Sequence, residues 1–312
     1  MIPTRRRRSD TDDRIWRVCV NCPETHVRLR NRNGLVPNCA ICDAPLTLLS
    51  RAALPSIRRT LKSSTWEYVE PPVEVLGSLS QAGISYRTLP ESDPILDSLC
   101  SVLSNPRMHD GIRFRVRGFR LGRPGFAASD FKSSRRLVSK IRAIQNGTER
   151  VFDQPPPQSD TPSGLGQLLE QELVFRSETV DSPHFSMVKR RDRSNHPLLG
   201  VAVSTSSDGS AASENFCGPV ELKTKESIEG FRSKPIGMVQ QMALQAIAAG
   251  TDAGLLVMVE RPNLRTEQPL RFSVLVIEDL LEFHLNTLDT WRNRNDELRD
   301  LLAFVMRGVD DV

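Results

Sequence analysis

The sequence has few aromatic residues and no long apolar segment. Aromatic residues make up 5% of its 312 residues. No apolar run approaches the ~18–20 residues that a membrane-spanning helix needs, which predicts a protein without a membrane anchor. The amino-terminal segment MIPTRRRRSDTDD is basic but has no apolar run behind it, so it does not predict a secretory signal. The length predicts about two domains, and a hydrophobic content of 38% is sufficient for a packed core.

Several common catalytic motifs are also absent. The sequence has no Gly-rich phosphate loop, no G-x-S-x-G elbow and no dinucleotide fingerprint. These absences argue against an ATPase, a hydrolase with a serine nucleophile and a Rossmann enzyme. The histidines do not have metal-ligand spacing, and we expect all five to be non-catalytic: His26, His109, His184, His196 and His284.

The net charge is only +4, but basic residues are unevenly distributed. The stretch from Arg113 to Arg142 holds ten Lys or Arg residues and one acidic residue, Asp130. Such a region favours nucleic-acid binding, and the alternative is a solvated surface. The cluster Arg5–Arg8 is compatible with a nuclear-import signal, a nucleic-acid-binding tail or a disordered solubilising tail. We expect an intracellular protein of the cytoplasm or nucleus.

Four of the six cysteines form two C-x2-C pairs with sixteen residues between them. This spacing predicts a closed tetrahedral site for a structural zinc ion, with four thiolate ligands: Cys19, Cys22, Cys39 and Cys42. The segment resembles the zinc-ribbon family. Arg28, Arg30 and Arg32 would share one face of a strand and could contact phosphates, although a purely structural ribbon or a protein-docking ribbon fits equally well. We expect Cys100 and Cys217 to be buried small apolar residues.

The chain divides into five segments by composition. They are a disordered basic tail (1–13), the ribbon (14–50), a basic α+β middle region (51–150), a Pro-rich linker (151–162) and a regular α/β domain (163–312). In the last segment we expect the order α-β-β-β-α-β-β-α. The elements predicted there are a helix from Ser163, strands near 184–190, 198–204 and 219–224, a helix over 235–250, strands over 254–260 and 271–277, and a helical tail from 278 to about 307. Residues 205–215 are expected to form a polar loop.

The run Ser206–Lys225 holds the most informative polar residues. Alternation on a strand places Glu221 and Lys223 on one face, while Val220 and Leu222 point into the core. Asp208 precedes a polar loop that would bring its carboxylate near Glu221. Two carboxylates and the Leu222 carbonyl are suitable ligands for Mg²⁺ or Mn²⁺, and Lys223 could orient a water molecule or stabilise a phosphorane-like transition state. Alternatively, Asp208 is a turn residue before Gly209, and Glu-x-Lys is a common pair on an exposed strand.

This constellation resembles the PD-(D/E)xK nuclease superfamily, and most closely its phage-type exonuclease and RecB-like members. The resemblance rests on Asp208-Gly209, on Glu221-x-Lys223 and on the glutamine-bearing helix PIGMVQQMALQAIAAG. It implies a restriction-endonuclease-like αβββαβ core. It also implies that Gln241, with Gln240 as the rival, contacts the lysine or the substrate. A further acid on the first core helix would be Glu170, with Glu172 as the rival.

We therefore expect a metal-dependent nuclease, with DNA favoured over RNA as its nucleic-acid partner because of the relatives it resembles. One rival is a catalytically inactive nuclease-like protein that binds nucleic acid. The other is an interaction module whose ribbon docks a protein partner.

Overall fold

We describe the fold from a computed structural model, which covers the following residues: 14–18, 26–30, 47–49, 65–105, 125–146, 162–180, 182–188, 190–232, 235–261 and 269–310. The tail with Arg5–Arg8, the four paired cysteines, residues 106–124 of the basic middle region and the Pro-rich linker up to residue 161 lie outside these residues.

A small antiparallel sheet forms near the amino terminus. Its strands are β1 (Arg14–Val18), β2 (His26–Arg30) and β3 (Thr47–Leu49), in the order β2-β1-β3. In the sequence, the first cysteine pair lies between the paired strands β1 and β2, and the second lies between β2 and β3.

The main sheet is mixed and has seven strands. They are β4 (Trp66–Tyr68), β5 (Tyr86–Arg87), β7 (Phe185–Ser186), β10 (Gly209–Ala212), β11 (Cys217–Lys225), β12 (Gly254–Glu260) and β13 (Leu270–Ile277). The order is β4-β13-β12-β11-β10-β7, with β5 also paired to β13. The β11–β12 pair is parallel, whereas β10–β11 and β12–β13 are antiparallel. All seven residues of β12 are buried, as expected for a central strand covered on both faces.

A second, three-stranded sheet lies beside the main one. Its strands are β6 (Phe126–Ala127), β8 (Arg190–Asn195) and β9 (Ala202–Ser207), in the order β6-β9-β8. The chain passes directly from β9 in this sheet to β10 in the main sheet, with only Asp208 between them.

Seven α-helices are found among the described residues. They are α1 (Val73–Gln81), α2 (Pro94–Ser104), α3 (Ser134–Gln145), α4 (Pro162–Thr179), α5 (Pro235–Ala249), α6 (Leu280–Arg294) and α7 (Asp296–Asp310), with short 3₁₀ turns at Ala128–Lys132 and Ile228–Arg232. None of these helices is both long enough and apolar enough to cross a membrane.

Apolar side chains form three buried clusters. One face of the main sheet packs with α2 and α4, through residues such as Leu99, Leu173 and Val220. The other face packs with α1, α5 and α6, through residues such as Leu79 and Val239. The third cluster is formed by side chains from α3, from the β6-β9-β8 sheet and from the three helices α5, α6 and α7.

The coarse prediction of a mixed α/β protein is confirmed. Helix α5, strand β12 and strand β13 agree with their predicted ranges to within one residue. The middle region is not structurally separate where it is described, because β4 and β5 hydrogen-bond to β13 of the main sheet.

The prediction of a polar loop at 205–215 is wrong for most of this segment. Strand β9 continues to Ser207, and β10 occupies Gly209–Ala212. The segment consists mainly of Ser, Thr, Gly and Ala, which give no apolar alternation. Their small side chains fit where two sheets meet, so strand pairing in the tertiary structure determined its conformation. The strands expected near 184–190 and 198–204 are likewise shifted, to Phe185–Ser186, Arg190–Asn195 and Ala202–Ser207.

Candidate active site

Strand β11 presents two different faces, as its alternating sequence predicts. Val220 and Leu222 are buried in the cluster that contains α2 and α4. Glu221 points to the opposite face and is only 1% exposed, although it is charged in its usual state. A carboxylate is expensive to bury unless other groups pair with it, so its partners are the key feature of this site.

Asp208 bonds to strand β11 on both sides of Glu221. The β10–β11 register ends at the pair Gly209–Val220. The Asp208 amide donates to the Val220 carbonyl at 3.0 Å, and the Leu222 amide donates to Asp208 Oδ2 at 3.0 Å. These two hydrogen bonds hold Asp208 against the segment of β11 that contains Glu221.

Asp208 is followed by a glycine that allows two strands to pack closely, so it does not lie in a free turn. A Cβ at position 209 would lie 2.1 Å from the Ser186 carbonyl oxygen, so only glycine allows β7 to approach β10 this closely. Asp208 sits at the passage between two sheets, and its carboxylate bonds to the main chain of β11.

Two side chains hold the Glu221 carboxylate. Lys223 Nζ donates to Glu221 Oε1, and Gln245 Nε2 on α5 donates to Oε2 at 2.7 Å. The same Gln245 nitrogen donates to the Ser206 carbonyl at 2.8 Å, which ties α5 to strand β9. The Lys223 side chain is 29% exposed, so its ammonium group connects the buried carboxylate with solvent.

The glutamine that contacts Glu221 is Gln245, one turn after the predicted residue. The resemblance implied that Gln241, with Gln240 as the rival, contacts the lysine or the substrate, and for Gln241 this stays a prediction. Gln240 is fully buried and bonds His284 instead, while Gln241 is only half-buried. The rotation of α5 about its axis selects one glutamine, and the sequence does not determine that rotation.

The two acids considered on the first core helix have different surroundings. Glu172 is 1% exposed and pairs with Arg176, with a nitrogen-to-oxygen distance of 3.6 Å, inside the cluster with α2. Arg176 in turn donates to the Leu103 carbonyl. Glu170 is half-buried on α4, and helix α4 packs on the face of the sheet opposite to Gln245. The place of Glu170 in the site stays a prediction.

The donor set suits a hard divalent cation. Among the described residues there is no cluster of three or more His, Cys, Asp or Glu side chains. Asp208 and Glu221 provide two carboxylates, and Mg²⁺ commonly uses one or two carboxylates with water and substrate oxygens. The Leu222 carbonyl, which accepts from Lys223 Nζ at 3.4 Å, was the third predicted ligand.

A cavity of about 290 Å³ lies beside this constellation. It opens between the β8–β9 hairpin, strand β10 and the end of α5, and Gln245 forms part of its wall. Other residues of the wall include Ser207 and Gly209, which flank Asp208 in the sequence. Sequence reasoning gave no signal for the cavity because its wall comes from six separate elements, β7 to β11 and α5.

The lone cysteines were expected to be buried, and this expectation is wrong for one of them. Cys217 is an exposed free thiol at the edge of the cavity, while Cys100 is half-buried. Burial raises the pKa of the Cys100 thiol, whose side chain packs against the cluster that contains α2 and α4.

Two histidines that seemed isolated in the sequence form a buried pair. His196 Nε2 and His284 Nε2 are 2.7 Å apart, and Phe131 stacks on the His196 ring. His196 Nδ1 accepts from the amides of Leu198 and Leu199 at 3.2 Å. His196 therefore donates from Nε2, and His284 donates from Nδ1 to Gln240 Oε1. No spacing rule could have found a pair separated by 88 residues.

Burial keeps this histidine pair neutral. Desolvation lowers the pKa of His196 to about 4, and desolvation together with the nearby His196 lowers the pKa of His284 to about 3. A neutral pair that bonds to two amides and a glutamine acts as a structural link. This is consistent with the non-catalytic role expected for these residues.

Comparisons with known proteins leave the family open. No protein-family model matches the chain, and no curated protein matches it significantly. Among solved structures, the chain has limited similarity to the crystal structure of SSO0001, with 16% identity and a TM-score of 0.34 over 65% of this chain and 85% of that one.

Proposed function

We propose that this protein is a metal-dependent nuclease that hydrolyses phosphodiester bonds, with DNA as the favoured substrate. The observation that carries the proposal is the pair of hydrogen bonds that hold Asp208 against Val220 and Leu222, on either side of Glu221, with Lys223 bonded to the Glu221 carboxylate. A buried pair of acids with an attached lysine, next to an open cavity, is costly for stability and typical of a catalytic site.

Each residue has a chemical role in this proposal. Asp208, Glu221 and the Leu222 carbonyl would hold Mg²⁺ or Mn²⁺, which supplies charge neutralisation and an activated water when bound. Lys223 orients the attacking water and places a positive charge where the phosphorane-like transition state is negative. Gln245 fixes the Glu221 carboxylate and thereby keeps it aimed at the site. The finer fold assignment, a restriction-endonuclease-like core formed by α4, the strands β7, β10 and β11, α5 and β12, belongs to the same proposal.

The amino-terminal segment supports a second part of the proposal. We infer a zinc ribbon in which Cys19, Cys22, Cys39 and Cys42 hold a structural Zn²⁺ ion. The antiparallel order β2-β1-β3 and the position of the cysteine pairs between these strands in the sequence support it. The ribbon would assist binding of nucleic acid or of a protein partner.

A cleavage assay tests the nuclease. Labelled linear DNA, circular DNA and RNA are incubated with Mg²⁺, Mn²⁺ or EDTA and the zinc-loaded protein. Glu221→Gln and Lys223→Ala should each remove metal-dependent cutting, while Glu278→Gln, which alters an exposed ion pair with Arg87, should keep it. The comparison of linear with circular DNA separates exonuclease from endonuclease activity. A folded protein that cuts no substrate, or cutting that survives in both site variants, contradicts the proposal.

One observation favours a second candidate, a nucleic-acid-binding module without catalysis. Both Glu221 oxygens already have protein donors, Lys223 on one and Gln245 on the other. If these contacts persist in solution with Mg²⁺ present, no cation enters. Binding of oligonucleotides without cutting, and without any Mg²⁺-dependent change in thermal stability, would support this candidate over the nuclease.

A further inference from the structure

We propose that the cavity beside Gln245 binds a single nucleotide of the substrate strand, with its phosphate group on Arg190. This inference rests on the nuclease proposed above and adds the place where the substrate strand is held. Arg190, Asp192 and Gln245 all contribute to the cavity wall, as do residues on both sides of Asp208.

The shape and composition of the cavity suit a nucleotide. Its volume of about 290 Å³ is near the lower limit of the ~300–1,000 Å³ found for small-molecule sites, which excludes a duplex. Its wall combines apolar side chains such as Phe185 and Pro219 with the hydroxyls of Ser186, Thr205 and Ser207. The apolar faces of a base would pack against the apolar side chains of the wall. The polar edges of the base and the oxygens of the sugar would form hydrogen bonds with its hydroxyl groups.

Arg190 supplies the charge that recognises a phosphate. It is exposed, and it shares the cavity wall with one carboxylate, that of Asp192 two residues along the same strand. In the β8–β9 register Arg190 is paired with Ser207, the residue immediately before Asp208. A guanidinium group in this position would bind phosphate oxygens through two parallel hydrogen bonds, close to the proposed scissile bond.

Gln245 connects the cavity with the candidate catalytic carboxylate. Its side chain is 3% exposed, and its amide nitrogen bonds both Glu221 and the Ser206 carbonyl. Its amide oxygen has no hydrogen-bond partner among the described residues. A buried amide oxygen without a donor is uncommon, and an N–H group of a base entering the cavity could satisfy it after a small shift. Because the Gln245 amide both contacts Glu221 and borders the cavity, a nucleotide bound there would be aligned with Glu221.

Strand β8 provides a matched pair of variants. Arg190 and Arg191 are adjacent and both exposed, but alternation on the strand points them to opposite faces. Arg190 contributes to the cavity wall together with Asp192, two residues later. Arg191→Gln therefore removes the same charge at almost the same place without changing the cavity, and it is the control for Arg190→Gln.

The exposed thiol of Cys217 at the cavity edge reports occupancy. The full-length, zinc-loaded protein is kept free of Mg²⁺ and Mn²⁺ and without chelator, so binding is measured without cleavage. The rate of Cys217 alkylation by N-ethylmaleimide is followed by peptide mass spectrometry with deoxynucleoside 5′-monophosphates, the oligonucleotide (dT)₈, or inorganic phosphate. We expect the nucleotides to slow alkylation several-fold and phosphate alone to have little effect. Arg190→Gln should raise the nucleotide concentration required by about tenfold, and Arg191→Gln by less than about twofold.

Two results would overturn the inference. One is unchanged Cys217 alkylation at saturating (dT)₈, and the other is an equal effect of the two arginine variants. The proposed nuclease is judged separately, by cutting in Mg²⁺. Protection of Cys217 without cutting would support the nucleotide site and reject the nuclease, whereas cutting without protection would reject the nucleotide site and keep the nuclease.

Discussion

Helix α5 supports two buried polar clusters of opposite character. At Gln245 it holds a charged site, in which Asp208, Glu221 and Lys223 lie beside an open cavity. At Gln240, five residues earlier, it holds the His196–His284 pair, which is neutral and covered by Phe131. Comparison of the two clusters shows that the burial of polar groups does not by itself indicate function. Charge and access to solvent distinguish a candidate catalytic site from a structural link.

The largest expected difference between the clusters concerns activity. Lys223→Ala should lower the rate of metal-dependent cleavage by ~10³-fold or more, because it removes charge stabilisation in the transition state. Gln240→Leu should leave the rate per folded molecule within about twofold, since its cluster does not reach the site. Single-turnover rates measured at equal folded concentration test both. If Gln240→Leu abolished cleavage while the fold was kept, the separation of the two clusters would be wrong.

Both clusters should also contribute to stability. Gln240→Leu leaves His284 without its acceptor inside the core, which we expect to lower the free energy of unfolding by ~1–3 kcal/mol. Lys223→Ala removes the cationic partner of the buried Glu221 carboxylate, so its loss should be at least as large. Urea unfolding of the two variants, with the wild type as reference, measures both losses. An unchanged free energy of unfolding in Lys223→Ala would show that the buried carboxylate does not depend on the lysine.

The histidine pair predicts how stability depends on pH. The folded-state pKa values of His196 and His284, about 4 and about 3, lie below the ordinary value of 6.5. The unfolded chain therefore takes up these protons first, and stability is lost as pH falls below about 6.5. Each histidine contributes a slope of up to ~1.4 kcal/mol per pH unit between about pH 6 and 4.5.

A variant of each kind of histidine isolates this effect. His284→Gln should reduce the slope of unfolding free energy against pH by about one proton. His184→Gln, which alters a half-buried histidine near the end of β10, is the control. Equal slopes in His284→Gln and the wild type would show that the pair does not remain neutral in the folded protein.

The smallest effect is expected at the surface of the basic region. Arg142 forms an ion pair with Glu297, and both side chains are at least 42% exposed. Arg142→Ala should change the free energy of unfolding by less than ~1 kcal/mol, because solvent screens such pairs. If it instead weakened oligonucleotide binding strongly, helix α3 would belong to the nucleic-acid surface together with Arg190.

The sequence by itself determined the class of the fold and the arrangement of side chains on β11. Apolar runs located β12 and β13, and a proline at its start with a glycine just past its end located α5, each almost to the residue. The sequence also placed Glu221 and Lys223 on one face, since side chains alternate along a strand. Those inferences depend only on neighbours along the chain.

Only the tertiary structure decided which distant groups meet. It brought Gln245 to Glu221 through the rotation of α5, and it paired His196 with His284 across 88 residues. It also turned the segment around Asp208 from an expected loop into the passage between two sheets, where Gly209 permits a close approach to Ser186. Such contacts depend on the packing of whole elements, and local sequence patterns do not encode them.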